Sequence, residues 1–306
     1  MEFVGRLAAR VGRWLDDARR RWPAFDHTWR ALDRYGELLA PRLAAAIAYY
    51  GFFAVFALAL LAYWVFGLII IGRSELRGVV ADFLKQNLPF LRPEEIAESS
   101  GNVGVVGLVL LVFTGIAWIE AIRSSQRLIY GLDQQPGNLV VRRLVDLAVM
   151  VGVFILLGIS VGAVDALESL LRWILGRDSL AGGIIRWLLA VPINMVVAAA
   201  LLVAVPRVRI SARRLWPPVM IVAVGLTLLN SVGRYYVFRA ERNPAYTVVA
   251  GAVGILLYLY LLNQLVLFGA TLAATAETGR IRDLAGGQKV PAAGVPPARP
   301  GGGAGP

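Results

Sequence analysis

The chain has 306 residues, 58 % of them hydrophobic and 17 % charged, with a mean hydropathy of +0.66. It has no cysteine, which excludes disulfides and thiolate metal sites, and its one histidine, His27, cannot supply a metal cluster. The net charge of +11 would suit nucleic acid, but 29 of the 31 basic residues are Arg and most lie in the connectors between apolar runs, which points to a membrane surface.

Residues 1–42 read as cytoplasmic, basic, amphipathic helices. In the first, Phe3, Leu7, Val11, Trp14 and Leu15 recur at helical spacing, with Arg6, Arg10 and Arg13 around them, up to Trp22 and Pro23. A second stripe follows at Phe25, Trp29, Leu32, Gly36 and Leu39. Two arrangements suit these patterns. Either the helices lie on an anionic leaflet, with Arg6, Arg10, Arg13 and Trp14 at the membrane surface, or they pack on the bundle as ordinary cytosolic helices.

Six apolar stretches follow over residues 43–276: Leu43–Ile71, Val103–Ile122, Leu144–Gly162, Ile184–Val205, Val219–Tyr236 and Thr247–Ala276. Each has about 18 residues or more, enough for a helix to cross a hydrocarbon core of about 30 Å. The expected fold is therefore an all-α integral membrane protein with six transmembrane helices. Amphipathic helices are expected outside near 74–88, stopped by Pro89, and near 164–175, where Leu167, Leu170, Leu171, Ile174 and Leu175 align. The tail 277–306, rich in Pro, Gly and Ala, is expected to be disordered and cytoplasmic.

Charge sets the orientation. The N-terminal segment, the 123–143 and 206–215 connectors and the tail hold 21 Lys and Arg, against eight in the alternate connectors. Positive charge stays in the cytoplasm, so both termini are expected inside. No cleavable signal peptide is expected, since the first apolar run begins at residue 43 behind a charged segment. Small residues four apart, at Gly158/Gly162, Ala200/Ala204 and Ala270/Ala274, suit close approach of helices in lipid.

The polar residues within the spans are the candidate substrate path. Asn194 lies near the centre of the fourth span, two residues after the helix-breaking Pro192, and Asn263 and Gln264 lie near the centre of the sixth. They either line a polar cavity or act as interhelical glue, hydrogen-bonded to one another. Glu120 with Arg123, and Asp146 behind Arg142 and Arg143, have the spacing for local ion pairs on one helix face. Asn230 and Arg234 stand near the outer end of the fifth span. Local pairing and snorkelling explain these charges; an acidic inner gate and a basic outer site for an anionic headgroup are the sharper alternative. No catalytic residue, metal site or cofactor is expected: there is no phosphate-binding Walker loop, no Gly-x-Ser-x-Gly elbow and no metal-ligand set.

Two stretches carry a family resemblance. The run RLAAAIAYY from Arg42 to Tyr50 resembles the opening motif of the YihY/BrkB family of bacterial inner-membrane proteins. The run from Tyr246 through Gly251, Gly254, Tyr260 and Gly269 to Leu272 is similar to that family's last span. The six-span layout and Leu88-Pro89 after the first outside helix fit it too, so the resemblance covers roughly residues 25–280 by the order of its motifs. Two positions depart: Ala57 stands where the family often has Pro, and Thr271 where it often has an acidic residue, so a role for that carboxylate does not carry over. The resemblance implies a place in the bacterial cytoplasmic membrane and a part in envelope integrity. For some members it also implies export of lipids or lipid precursors.

The leading expectation is thus a non-enzymatic transporter or exporter of an amphipathic anion, such as a lipid-linked envelope precursor. Its partners would be anionic membrane lipids and a lipid-like substrate, not nucleic acid. A structural or scaffold membrane protein is the alternative. A membrane-anchored ribonuclease, an older label of the family, is the weakest of the three, since the metal ligands it needs are missing.

Overall fold

The computed structural model describes residues 17, 19–72, 100–175, 180–240 and 244–286, and within them the chain is predominantly helical. The segments around Arg6, Arg10, Arg13 and Trp14 and around 74–88 lie outside the described residues. Helix α1 spans Pro23–Glu37; Pro23 starts it, Asp26 sits in its first turn and Arg34 in its last, each sign suited to the helix dipole. Long helices follow: α2 (Ala40–Gly72), α3 (Ser100–Ile129), α4 (Leu139–Leu175), α5 (Leu180–Val203), α6 (Ala212–Ala240) and α7 (Pro244–Thr275). Two three-residue strands, β1 (Val208–Ile210) and β2 (Ile281–Asp283), pair antiparallel with Arg209 opposite Arg282.

Five of these helices contain stretches long and apolar enough to cross a membrane: Ala40–Leu58, Val105–Ile129, Leu139–Val164, Ala212–Gly233 and Gly251–Thr275. In α5 the corresponding stretch, Leu188–Val203, is shorter. Pro192 does not interrupt α5, which stays helical through it. Nor do residues 164–175 form a separate amphipathic helix: they continue α4 without a break to 37 residues, because no Pro or Gly pair stands after Gly162 to end the helix.

Helix α7 is apolar around its whole circumference and occupies the centre, packing on α6, α2, α1, α3 and α5, while α4 stands outside against α3 and α5. Ile47, Ile119, Leu202 and Leu267 are fully buried at the heart of the bundle. The close approaches are made by glycines that the small-residue motifs did not single out. A Cβ on Gly51 would come within 2.8 Å of Trp118 Nε1, and one on Gly269 within 2.5 Å of Val222 Cγ2. Gly158 and Gly162 instead face open space on the outer side of α4.

The tail is more ordered than its composition suggests. Residues 281–283 pair with β1, and the Leu284 amide donates to the Arg207 carbonyl at 3.0 Å. A ready edge at 208–210 and a charged anchor at Asp283 supply what the tail lacks in apolar surface. Residues 287–306 lie outside the described residues.

Candidate functional site at the basic end of the bundle

The end of the bundle where α1, the 130–138 loop, the 204–211 connector and the tail meet holds its densest charge. Arg123 and Arg127, one turn apart on α3, are both fully buried, as is Asp146 on α4. Arg123 grips Asp146 with two donors, Nε at 3.0 Å and Nη2 at 3.3 Å, and sends Nη1 to the Gln134 carbonyl at 2.7 Å. Arg207 reaches the same carboxylate with Nη2 at 2.5 Å and also donates to the Arg142 carbonyl. Arg127 makes a bidentate pair with Asp283 of β2 at 2.9 and 2.7 Å and donates to the Pro206 and Asp133 carbonyls.

Of the local pairs expected from spacing, Glu120 with Arg123 is present, while those of Asp146 are replaced by longer ones. Asp146 is held not by Arg142 or Arg143 on its own helix but by arginines of α3 and the 206–211 connector. Arg143 crosses from α4 to Glu120 on α3, and Glu120 also lies 3.9 Å from Arg123. Same-helix spacing permits a contact, but packing of α3 on α4 brings a better-aligned partner.

Three buried guanidinium groups, Arg123, Arg127 and Arg142, gather here with the half-buried Arg207 and with Arg143, against the carboxylates of Asp146, Asp283 and Glu120, so positive charge is in surplus among the described residues. Loop carbonyls take much of that surplus. Two buried donors, Nε of Arg142 and Nε of Arg207, have no acceptor among the described residues. Burial pushes the Arg207 guanidinium below its ordinary pKa, with Asp146 opposing the shift. Its backbone adopts a left-handed conformation, φ 57°, which is uncommon for a non-glycine residue and aims its side chain back across α4.

The mid-bundle amides do not form one cluster. Asn194 donates to Thr227 Oγ1 at 2.8 Å, joining α5 to α6. Asn263 donates to the Leu259 carbonyl of its own helix at 2.7 Å. Gln264 accepts from the Tyr35 hydroxyl at 2.6 Å, and Asn230 accepts from Tyr258 at 2.6 Å. Arg234 lies on the last turns of α6, and its side chain is outside the described residues. Sequence reading missed Arg127, Arg207 and Asp283 as partners and Tyr35 as the companion of Gln264; the one available signal was the Arg123/Arg127 pair at the end of an apolar run.

Helix α1 docks through its polar side. His27 Nε2 lies 3.0 Å from the Leu272 carbonyl, Tyr35 meets Gln264, and Arg34 Nε donates to the Ile129 carbonyl at 2.9 Å. The stripe of Phe25, Trp29, Leu32 and Leu39 is left half-buried or exposed. Burial lifts the Tyr35 hydroxyl to a pKa of about 12.

Comparison with known proteins agrees on one group. The family model described as Virulence factor BrkB matches residues 31–293. The chain is 24 % identical to the inner membrane protein YhjD of Escherichia coli (strain K12) over 280 residues, 84 % of this chain and 82 % of that one. It is 21 % identical to an uncharacterized protein of Dickeya dadantii (strain 3937) over 283 residues, 83 % of this chain and 84 % of its relative. No solved structure matches.

Proposed function

We infer function from the premise that this chain belongs to the Virulence factor BrkB family. On it we propose a non-enzymatic transporter or exporter of an amphipathic anion, such as a lipid-linked envelope precursor, in the bacterial inner membrane. The observation that carries this reading is the pair of unpartnered donors, Arg142 Nε and Arg207 Nε, in a buried site with surplus positive charge. A buried donor without an acceptor costs about 1–3 kcal/mol, a cost that an arriving anion would relieve. Charge held within an apolar bundle is itself the common mark of a transport path.

The same proposal makes α5 the sixth crossing and places both termini in the cytoplasm. The N-terminal helix meets the end of α3 through Arg34 and the tail through Arg30, and Arg127 ties α3 to the 130–138 loop, the 204–211 connector and the tail. A chain that leaves this end along α4 and is back at it by Pro206 must return along α5, whose 24 residues extend about 36 Å.

Purified protein in liposomes holding a fluorescent phosphatidylglycerol tests the function. Transfer between leaflets, read by dithionite quenching, is expected to exceed that of protein-free vesicles and to fall at least tenfold in Arg207→Gln. Equal rates with and without folded wild-type protein would overturn the transport reading. One observation favours the scaffold alternative: Asn194, Gln264 and Asn230 each have a partner on another helix, as packing glue requires. Full envelope function in cells with a transfer-dead protein would decide for it.

A further inference from the structure

A second basic site lies apart from the ionic network, where the start of α6 faces α1 and the end of α7. It is a cleft of about 380 Å³ lined by Arg19, Asp26, His27, Arg30, Arg213 and Glu277, among others. Most of its charges are already engaged. Arg19 pairs with Asp26 at 2.9 Å, and Arg30 lies 3.1 Å from Asp26 and 2.5 Å from Glu277. Arg214, also on the wall, is spent on the Ala273, Ala274 and Gly279 carbonyls at the end of α7. Arg213 is different. It is exposed in the cleft, in the first turn of α6, and has no hydrogen bond or ion pair among the described residues.

The cleft therefore offers one spare guanidinium at the positive end of a 29-residue helix, backed by two arginines whose carboxylates are shared. Exposed tryptophans adjoin two of its lining residues in sequence. Trp22 and Trp216, each next in sequence to a lining proline, are 65 % and 60 % exposed. Tryptophans so placed sit at the membrane–water boundary, at the depth of phosphates. Leu32 on α1 and Leu39 just after it are exposed as well.

We propose that this cleft is a binding site for a phosphate ester, with Arg213 as its anion contact and Arg19 and Arg30 as supporting cations. Guanidinium groups recognise phosphate oxygens through paired, charge-assisted donors. Glu277, exposed on the lining beside Arg30, suits an ammonium or hydroxyl group on the same ligand. The site is distinct from the network around Asp146 and does not depend on transport.

Titration of the full-length protein in neutral detergent tests it, with three probes: dihexanoyl phosphatidylglycerol, glycerol 3-phosphate and inorganic phosphate. Binding is read by phosphorus NMR and tryptophan fluorescence. Wild type is expected to bind at least one ester, with affinity falling at least tenfold in Arg213→Gln and further in Arg213→Glu. Arg209→Gln, an exposed cation of β1 outside the cleft, should stay within twofold, and all variants should melt with wild type. Binding of the lipid alone identifies a headgroup seat, and equal binding of glycerol 3-phosphate a soluble ester. Absence of binding by all three, or undiminished binding in folded Arg213→Glu, would overturn the proposal.

Discussion

At the scale of single residues, the amides in the bundle act through separate bonds. Replacing Asn194 by Leu removes the donor to Thr227 but leaves Thr227 its bond to the Ala223 carbonyl. The expected loss is about 0.6–2 kcal/mol, the usual scale for interhelical hydrogen bonds. Because Asn263 bonds its own helix, Asn194→Leu and Asn263→Leu should add in reversible unfolding in bicelles. A coupling above about 1 kcal/mol would show that the two share a partner. Tyr35 gives a second test. Its folded pKa, about 12, lies above the unfolded value of about 10, so its contribution is complete below pH 10 and lost as pH rises toward 12. Stability should fall over that interval, and Tyr35→Phe, which has no proton to lose, should flatten the fall. An unchanged alkaline profile in Tyr35→Phe would assign it to other groups.

At the scale of elements, close packing depends on what faces a glycine rather than on the glycine motif. Gly51→Ala drives a methyl toward the indole of Trp118, itself packed on Phe154, and should cost about 1–3 kcal/mol. Gly158→Ala meets open space and should cost nothing measurable in the same unfolding assay. If Gly158→Ala were the costlier change, the outer face of α4 would be a packed interface. The αL residue Leu39, φ 50°, makes the joint between α1 and α2 and lets the polar side of α1 reach α7 while its apolar stripe stays open.

At the scale of the whole molecule, the basic segments cohere because they converge. Arg127 alone ties α3 to Asp133 of the 130–138 loop, to Pro206 of the 204–211 connector and to β2, over separations of up to 156 residues. Reporter fusions at residues 133 and 211 are expected to read cytoplasmic, and those at 90 and 240 outside. Opposite readings at 133 and 211 would contradict their contact through Arg127. Asp283→Asn should free the tail: protease cleavage between residues 277 and 286 should speed up while the helices stay protected. Unchanged cleavage would show that the strand pairing alone holds the tail.

That the chain is helical and apolar enough for membranes, which segments are basic, and the family are all legible in the residues read in order. These follow from local composition and run length, because lipid leaves the backbone no partner but its own helix. The sequence also places polar groups at Asn194, Gln264 and Asp146. Their partners follow from how the helices pack. Asp146 has arginines three and four residues before it in sequence, yet Arg123 and Arg207 hold it, since a buried carboxylate goes to whichever donors packing brings into line. The ordered end of the tail was hidden for the same reason. Ile281, Arg282 and Asp283 form a strand only because β1 and Arg127, distant in the chain, stand ready to receive them.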